Sequence, residues 1–364
     1  MPPQHPVPVV VVVGMTAPDA AGAGLTLQCD LPGSVVVRHE FARDRLLRVV
    51  SDAGGVVEQE AVDLEHACLS CALREDVVPT LIRLAETARW SELVAVLPPT
   101  TDPLPVCRMV AHGVHQGRAV GAWLDLRAVV ATVDGPGLTG DVLGDDLLAE
   151  RGWALGPDDL RAVGQAVTAQ VEFADHLVLV GEPDQAGRGL LRQLARAGVS
   201  VVADTTELEV AAVLLGRDDA AAHRAVDPRS RCRAPVPDDE HVASVVMTSW
   251  KPFHPARLRA LLEDLAPGGA RTRGCFWLPT RPHDVLAWEH SGGQLSIGDV
   301  GPWVDAERGA RLVSTGRPEV VRGLPEVFGR ALMTDAEMTG AALEWSGRPD
   351  GFEPWLGGGW SAAS

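Results

Sequence analysis

Lysine is almost missing from this chain: Lys251 is the one lysine among 364 residues, and arginine supplies the rest of the basic side chains. Positive charge is short overall, with 32 Lys and Arg against 49 Asp and Glu and a formal net charge of −17. Direct binding to nucleic acid or to an anionic membrane requires a basic face, so neither is expected beyond a local arginine patch. Long apolar runs are missing too. Val9–Val13 is too short for a membrane span or a signal-peptide core, and no Lys or Arg precedes it. Cysteine is sparse: the six, at positions 29, 68, 71, 107, 232 and 275, form no tight disulfide framework in a chain of this length. That pattern points to a reducing compartment, and the expected location is the cytoplasm.

What is present suits two cores. With 46% hydrophobic residues in 364, the chain can bury one large core and one smaller one. Apolar β-branched runs alternate with helical segments, which predicts an α/β domain built on a mostly parallel sheet with helices on both faces. Val9–Val13, Val35–Val37, Leu93–Leu97, Val129–Val133, Leu177–Val180 and Val199–Ala203 read as strands. Asp76 to Trp90, Pro157 to Phe173 and Gly189 to Ala197 read as helices; in the first, Val77, Leu81 and Leu84 share one face and Pro79 is tolerated in the opening turn.

The segment from Gly216 to Glu240 changes character, being rich in Arg, Asp, Ala and Pro, and reads as a linker between domains spanning 1–215 and 241–364. His223 within it and His241 just after it, isolated among carboxylates, read as surface residues. Beyond it, a strand at Val242–Thr248, a helix at Pro255–Leu265 and a strand at Thr272–Leu278 lead to a hairpin from Val285 to Ile297 turning at Gly292-Gly293. The Trp and Phe residues of this half read as core.

The candidate chemistry lies in His66-Ala67-Cys68-Leu69-Ser70-Cys71-Ala72-Leu73-Arg74-Glu75-Asp76. Two thiols three positions apart can face one point, and a following helix favours the thiolate that binds zinc. His66 could add a nitrogen. The bland alternative is two small buried residues at a helix entrance. Such sheets place ligands at the carboxyl ends of their strands, where this turn is expected to project.

These residues resemble the CobW-like branch of GTPases, a family that includes zinc chaperones and metal-insertion proteins. Its metal motif, G-C-x-C-C-x-x-R-x-D, has Ala67 at the glycine, Cys68 and Cys71 at the first and third cysteines, Ser70 at the second, and Arg74 and Asp76 at the last two fixed positions. The C-terminal half resembles the CobW C-terminal domain through Lys251-Pro252-Phe253-His254-Pro255, Arg271 to Leu278, Gly301-Pro302-Trp303, Leu332 to Met338 and Asp350-Gly351-Phe352-Glu353-Pro354-Trp355. The resemblance implies a P-loop-NTPase-like fold with a smaller α+β domain, zinc as the metal with Cys68, Cys71 and His66 as ligands, and a protein partner docked by the C-terminal domain. Relatives that act in zinc-starved actinobacteria imply a ribosome-associated partner.

The nucleotide motifs depart from that family. A phosphate loop needs G-x-x-x-x-G-K-[ST], so that backbone amides cradle phosphate, lysine neutralises charge and a hydroxyl holds magnesium. After the first strand stand Gly14-Met15-Thr16-Ala17-Pro18-Asp19-Ala20-Ala21-Gly22-Ala23-Gly24, with no lysine, a carboxylate at Asp19 and an amide lost at Pro18. Of E-T-T-G-x-x-D-P, Pro98-Pro99-Thr100-Thr101-Asp102-Pro103 keeps the final Asp-Pro; of the guanine-reading N-K-x-D, at most Asp184 remains. GTP binding and turnover are therefore not expected, and no catalytic residue is assigned. Two functions stay open: a non-hydrolysing zinc sensor or adaptor, or a GTP-dependent metallochaperone with an unusual phosphate loop such as Gly22-Ala23-Gly24. An inert scaffold whose thiols merely pack is a third. Whether Cys107 completes the metal site is also open.

Overall fold

A computed structural model describes residues 3–42, 45–64, 69–156, 158–230, 238–303, 307–345 and 348–357. The N-terminal region is built on β1 (Val7–Gly14), β2 (Ser34–Ala42), β3 (Arg45–Asp52), β4 (Gly55–Val62) and β5 (Glu92–Val96). A small ladder of β6 (Val114–His115) and β7 (Arg118–Ala119) precedes β8 (Leu124–Asp134), β9 (His176–Val180) and β10 (Ser200–Val202). Eight strands form one sheet in the order β10-β9-β8-β1-β5-β2-β3-β4. The six from β10 to β2 run parallel; β3 and β4 extend the β2 edge as antiparallel neighbours.

Alternation along β1 explains the two cores of this sheet. Val9, Val11 and Val13 face the helices Val78–Glu86, Pro103–His112, Val163–Phe173 and Gln185–Leu194. Val10 and Val12 face Ala20, Ala23 and Leu27 of the helix Ala17–Asp30. A strand buried on both sides must be apolar at every position, hence the unbroken valine run.

The predicted strands of the first domain are all present. The helices differ at their ends. The run expected from Asp76 starts earlier, as a short turn Leu69–Ala72 followed by a wide π turn, Leu73–Val77, and the α-helix Val78–Glu86. The helix expected from Pro157 begins at Val163, because Ala162 is drawn into a β-bridge with Leu147. The one expected from Gly189 begins at Gln185, capped by Asp184. The window from Gly216 to Glu240 contains the helix Asp219–Val226, whose Ala222 is buried in the N-terminal core.

Antiparallel strands β11 (Ala243–Ser249), β12 (Ala270–Leu278), β13 (Arg281–Ser291), β14 (Gln294–Pro302) and β15 (Ala310–Gly316) make a second sheet in the order β11-β15-β12-β13-β14. The β13–β14 hairpin closes on Gly292 and Gly293, whose φ angles of +59° and +70° suit the type I′ turn that the sequence suggests. Phe253, Phe276, Trp288 and Phe352 are fully buried, with Phe253 tilted against Phe276 at 5.4 Å and edge-on to Phe328 at 5.2 Å between centroids. The closing Asp350 to Trp355 segment is locked by Arg281 Nε, which donates to Asp350 at 3.0 Å. Among the described residues no helix is long and apolar enough to cross a membrane.

The opposite face of the second sheet meets the first domain. Glu172, at the end of the helix Val163–Phe173, accepts from Arg271 Nε and Nη2 and from Arg273 Nη1, each at 3.0 Å. The paired geometry from Arg271 is bidentate, which fixes orientation as well as charge.

Candidate functional site

Strand β1 delivers Gly14 to the carboxyl edge of the sheet, and only Met15 and Thr16 separate it from the helix that begins at Ala17. Thr16 caps that helix by accepting from the Asp19 amide at 3.3 Å, and its hydroxyl donates to the Asp19 carboxylate at 2.5 Å. The two-residue connection leaves no wide loop of free amides. Gly22, Ala23 and Gly24 fall in the middle of the helix, where amides are spent on its own hydrogen bonds. Gly24 has a packing role instead: a Cβ there would lie 2.6 Å from Val96 Cγ2 on β5.

The other segments compared with nucleotide motifs have structural partners. Asp102 caps the helix Pro103–His112 by accepting from the Leu104 amide at 2.8 Å, and burial raises the pKa of its carboxyl. Thr100, held at φ +61°, presents its carbonyl to Arg161 Nη1 at 2.8 Å. Asp184 accepts from the Gly187 amide and from Thr139 Oγ1, both at 2.6 Å. Both acids are thus used to start helices.

A cavity of about 320 Å³ lies over this edge, between the Met15–Pro18 turn and the 152–155 segment that carries Trp153. Among the described residues its lining contains one charged side chain, Glu40 of β2. A site for polyphosphate is built from cations and aimed amides; this wall offers a carboxylate.

The Cys-x-x-Cys segment is only partly described. His66 and Cys68 lie outside the described residues. Cys71 is buried, with 7% exposure, in the turn Leu69–Ala72. Five residues on, in the π turn, Asp76 receives Arg48 Nη1 of β3 and pairs with His39 Nε2 of β2 at 2.8 Å. His39 is one residue past Arg38, the last β2 residue paired with β5, so Asp76 sits at the carboxyl edge. Burial lowers the His39 pKa and outweighs the attraction of Asp76. His39 is then a neutral donor to the carboxylate. Arg48 also reaches Glu58 Oε1 at 2.9 Å and Glu60 on β4. This relay ties the motif's last acid to the antiparallel extension. π turns interrupting helices recur at functional sites, where they re-aim side chains.

Sequence reasoning missed His39 because it lies beyond the Val35–Val37 run of β2, and Arg48 because β3 and β4 carry a pattern that is weak beside the valine runs; the burial of Arg48 among three acids is the feature that explains it. Cys107 is fully buried in the helix Pro103–His112, with Arg217 Nη1 4.0 Å from its sulfur. Burial pushes its thiol up to about 12, so it stays protonated there and offers no thiolate.

Residues 242–330 match the family described as the cobalamin synthesis protein cobW C-terminal domain. The chain is 33% identical over 315 residues to a zinc chaperone of Mycobacterium tuberculosis, spanning 82% of this chain and 74% of that one. It is 21% identical over 295 residues to a zinc-regulated GTPase metalloprotein activator of Dictyostelium discoideum, across 76% of this chain and 60% of that protein. The zinc-bound YjiA GTPase of E. coli overlays at a TM-score of 0.39 and 17% identity, covering 90% of this chain and 99% of that one. With its Cys-x-x-Cys motif, its C-terminal domain match and a relative aligned along most of both chains, this protein belongs to the CobW-like family.

Proposed function

We propose that this protein serves zinc homeostasis as a non-hydrolysing sensor or adaptor: zinc is cargo held at the Cys68–Cys71 turn, and its presence is passed to a protein partner through the C-terminal domain. The relatives named a zinc chaperone and a zinc-regulated GTPase activator support the metal. The single observation that supports a nucleotide-free role is the cavity over the carboxyl edge, whose one charged wall residue among the described residues is Glu40, next to a two-residue turn between β1 and the following helix. Two thiols, with His66 as third ligand, make an exchangeable site; Ser70 in place of a family cysteine weakens it. Asp76, fixed by His39 and Arg48, couples the helix behind that turn to β2 and β3. A ribosome-associated partner in zinc limitation is part of the same proposal, as is a cytoplasmic location.

The competing reading, a GTP-dependent chaperone, draws on the name of the Dictyostelium relative. Calorimetry with GTP and magnesium, with and without zinc, separates them. Charged hydrogen bonds contribute about 1.5–3 kcal/mol each, so losing the lysine, magnesium and base contacts should weaken GTP by on the order of 10³-fold or more. A micromolar dissociation constant in either condition overturns the proposal. Zinc content should fall sharply in Cys68→Ser and Cys71→Ser proteins; unchanged content would leave the thiols as packing residues.

A further inference from the structure

The window from Gly216 to Glu240 reads in sequence as a linker with surface histidines, yet it presents a set of metal donors. Asp219 and His223, four residues apart, share one face of the helix Asp219–Val226. His112 ends the helix Pro103–His112 and brings its ring to 5.9 Å from that of His223. One ligand atom from each of His112, Asp219 and His223 lies within 4.8 Å of the others.

Two of these donors are left without hydrogen bonds. His223 Nε2 and Asp219 Oδ1 are buried polar atoms with no hydrogen-bond partner, although such groups almost always find one. His223 Nε2 stands 3.4 Å from Asp219 Oδ2. Ligands about 2.0–2.1 Å from a tetrahedral ion lie about 3.3 Å apart, and adjacent ligands of an octahedral ion about 3.0 Å apart. The spacing therefore matches a tetrahedral ion. His112 is exposed and at a helix end, free to close the remaining gap. The His223 ring is oriented by an edge-on contact with Phe173 at 5.7 Å. Arg217 Nε lies 3.6 Å from Asp219 Oδ1 and opposes a cation, but its guanidinium also pairs with Asp175 at 3.3 Å and lies over the Phe173 ring.

We infer that His112, Asp219 and His223 form a zinc site separate from the Cys68–Cys71 turn. Two imidazoles and a carboxylate are borderline donors suited to zinc, and three protein ligands leave a fourth position for water or an incoming ligand. Because the ligands come from two helices, a bound ion would staple the segment entering the second domain onto the helix that follows β5. No thiol takes part, so the site survives loss of the cysteine turn.

The test uses the full chain carrying Cys68→Ser and Cys71→Ser. Equilibrium dialysis should find one zinc equivalent, and zinc should raise the melting temperature, since a ligand that binds only the folded state stabilises it. Adding His112→Ala, an exposed position that the fold does not need, should weaken zinc by about tenfold or more and remove the thermal shift; a direct ligand should matter at least as much as the outer-shell partners whose loss costs about that. Asp219→Asn should act in the same direction. Cobalt substitution should give no near-ultraviolet thiolate charge-transfer band. Absence of zinc binding in the cysteine-free turn background, unchanged affinity in His112→Ala, or a thiolate band there would each overturn the inference.

Discussion

The central strands of the first sheet are buried on both faces by apolar side chains, whereas the second packs one face on its own aromatic core and turns the other, with Arg271 and Arg273, to the first domain. On β1, Val9 to Val13 are all fully buried and alternate between two cores. On β12, Phe276 and Leu278 join the aromatic core while Arg271 reaches Glu172. The difference teaches that one domain coheres through area removed from water, and the contact between domains through a buried ion network. Apolar area tolerates salt and pH. A buried ion network does not tolerate the loss of a member, because the remaining charges stay desolvated.

The largest effect should come from Glu172→Ala, which removes the carboxylate shared by Arg271 and Arg273 and leaves Arg271 to the more exposed Glu289, 2.6 Å away. Breaking such a buried pair costs about 3–5 kcal/mol, readable as a loss of stability in urea unfolding. A cost below about 1 kcal/mol, the range of exposed ion pairs, would show that the contact is not held by charge. Glu172 itself is pushed up by burial and pulled down further by Arg271 and Arg273, for a net pKa below the ordinary value. Its contribution is therefore present above about pH 4.3, the usual glutamate value, and is lost as pH falls through its lower folded value.

A second effect occupies a separate pH window. His290 on β13 is fully buried, with neither ring nitrogen hydrogen-bonded. Burial, helped by the Arg271 guanidinium, lowers its pKa to about 4. The unfolded chain gains this proton near pH 6.5 while the folded chain does not, so stability should fall between about pH 6.5 and 4, by roughly 3 kcal/mol from this group. His290→Gln should flatten that part of the stability profile. A slope unchanged by the substitution would assign the acid sensitivity to other histidines.

The smallest effect should be Val11→Ala in the first sheet. It removes buried apolar surface and leaves a small cavity, for about 2 kcal/mol. The loss should be the same at low and high salt and across pH 5 to 8. A salt-dependent loss would blur the contrast between the regions.

Much of this architecture was legible from local pattern. The valine runs announced the parallel strands, because a strand covered on both faces has no room for polar positions, and Gly292-Gly293 announced the β13–β14 turn, because it needs positive φ twice. The β3–β4 extension was not legible: its exposed edge strand, Gly55–Val62, carries Glu58, Gln59 and Glu60 and has no apolar stripe to report it. The helix starts were blurred because caps and bridges decide them, as at Asp184 and Ala162. The candidate site divides the same way. Cys68 and Cys71 stood out by spacing, while the window from Gly216 to Glu240 looked like a linker although Ala222 is buried in the core.

By itself, the sequence determined the alternation of strands and helices, the second-domain motifs, the Cys-x-x-Cys spacing and the absence of lysine after the first strand, since each is written in neighbouring residues or in their absence. Only the tertiary structure decided that Asp76 is held by His39 and Arg48, that Glu172 clamps two arginines about a hundred positions away, and that His112 meets Asp219 and His223. The physical reason is range: periodicity, turn chemistry and capping act over a few residues, while burial and charge pairing depend on which distant segments the packed sheets bring together.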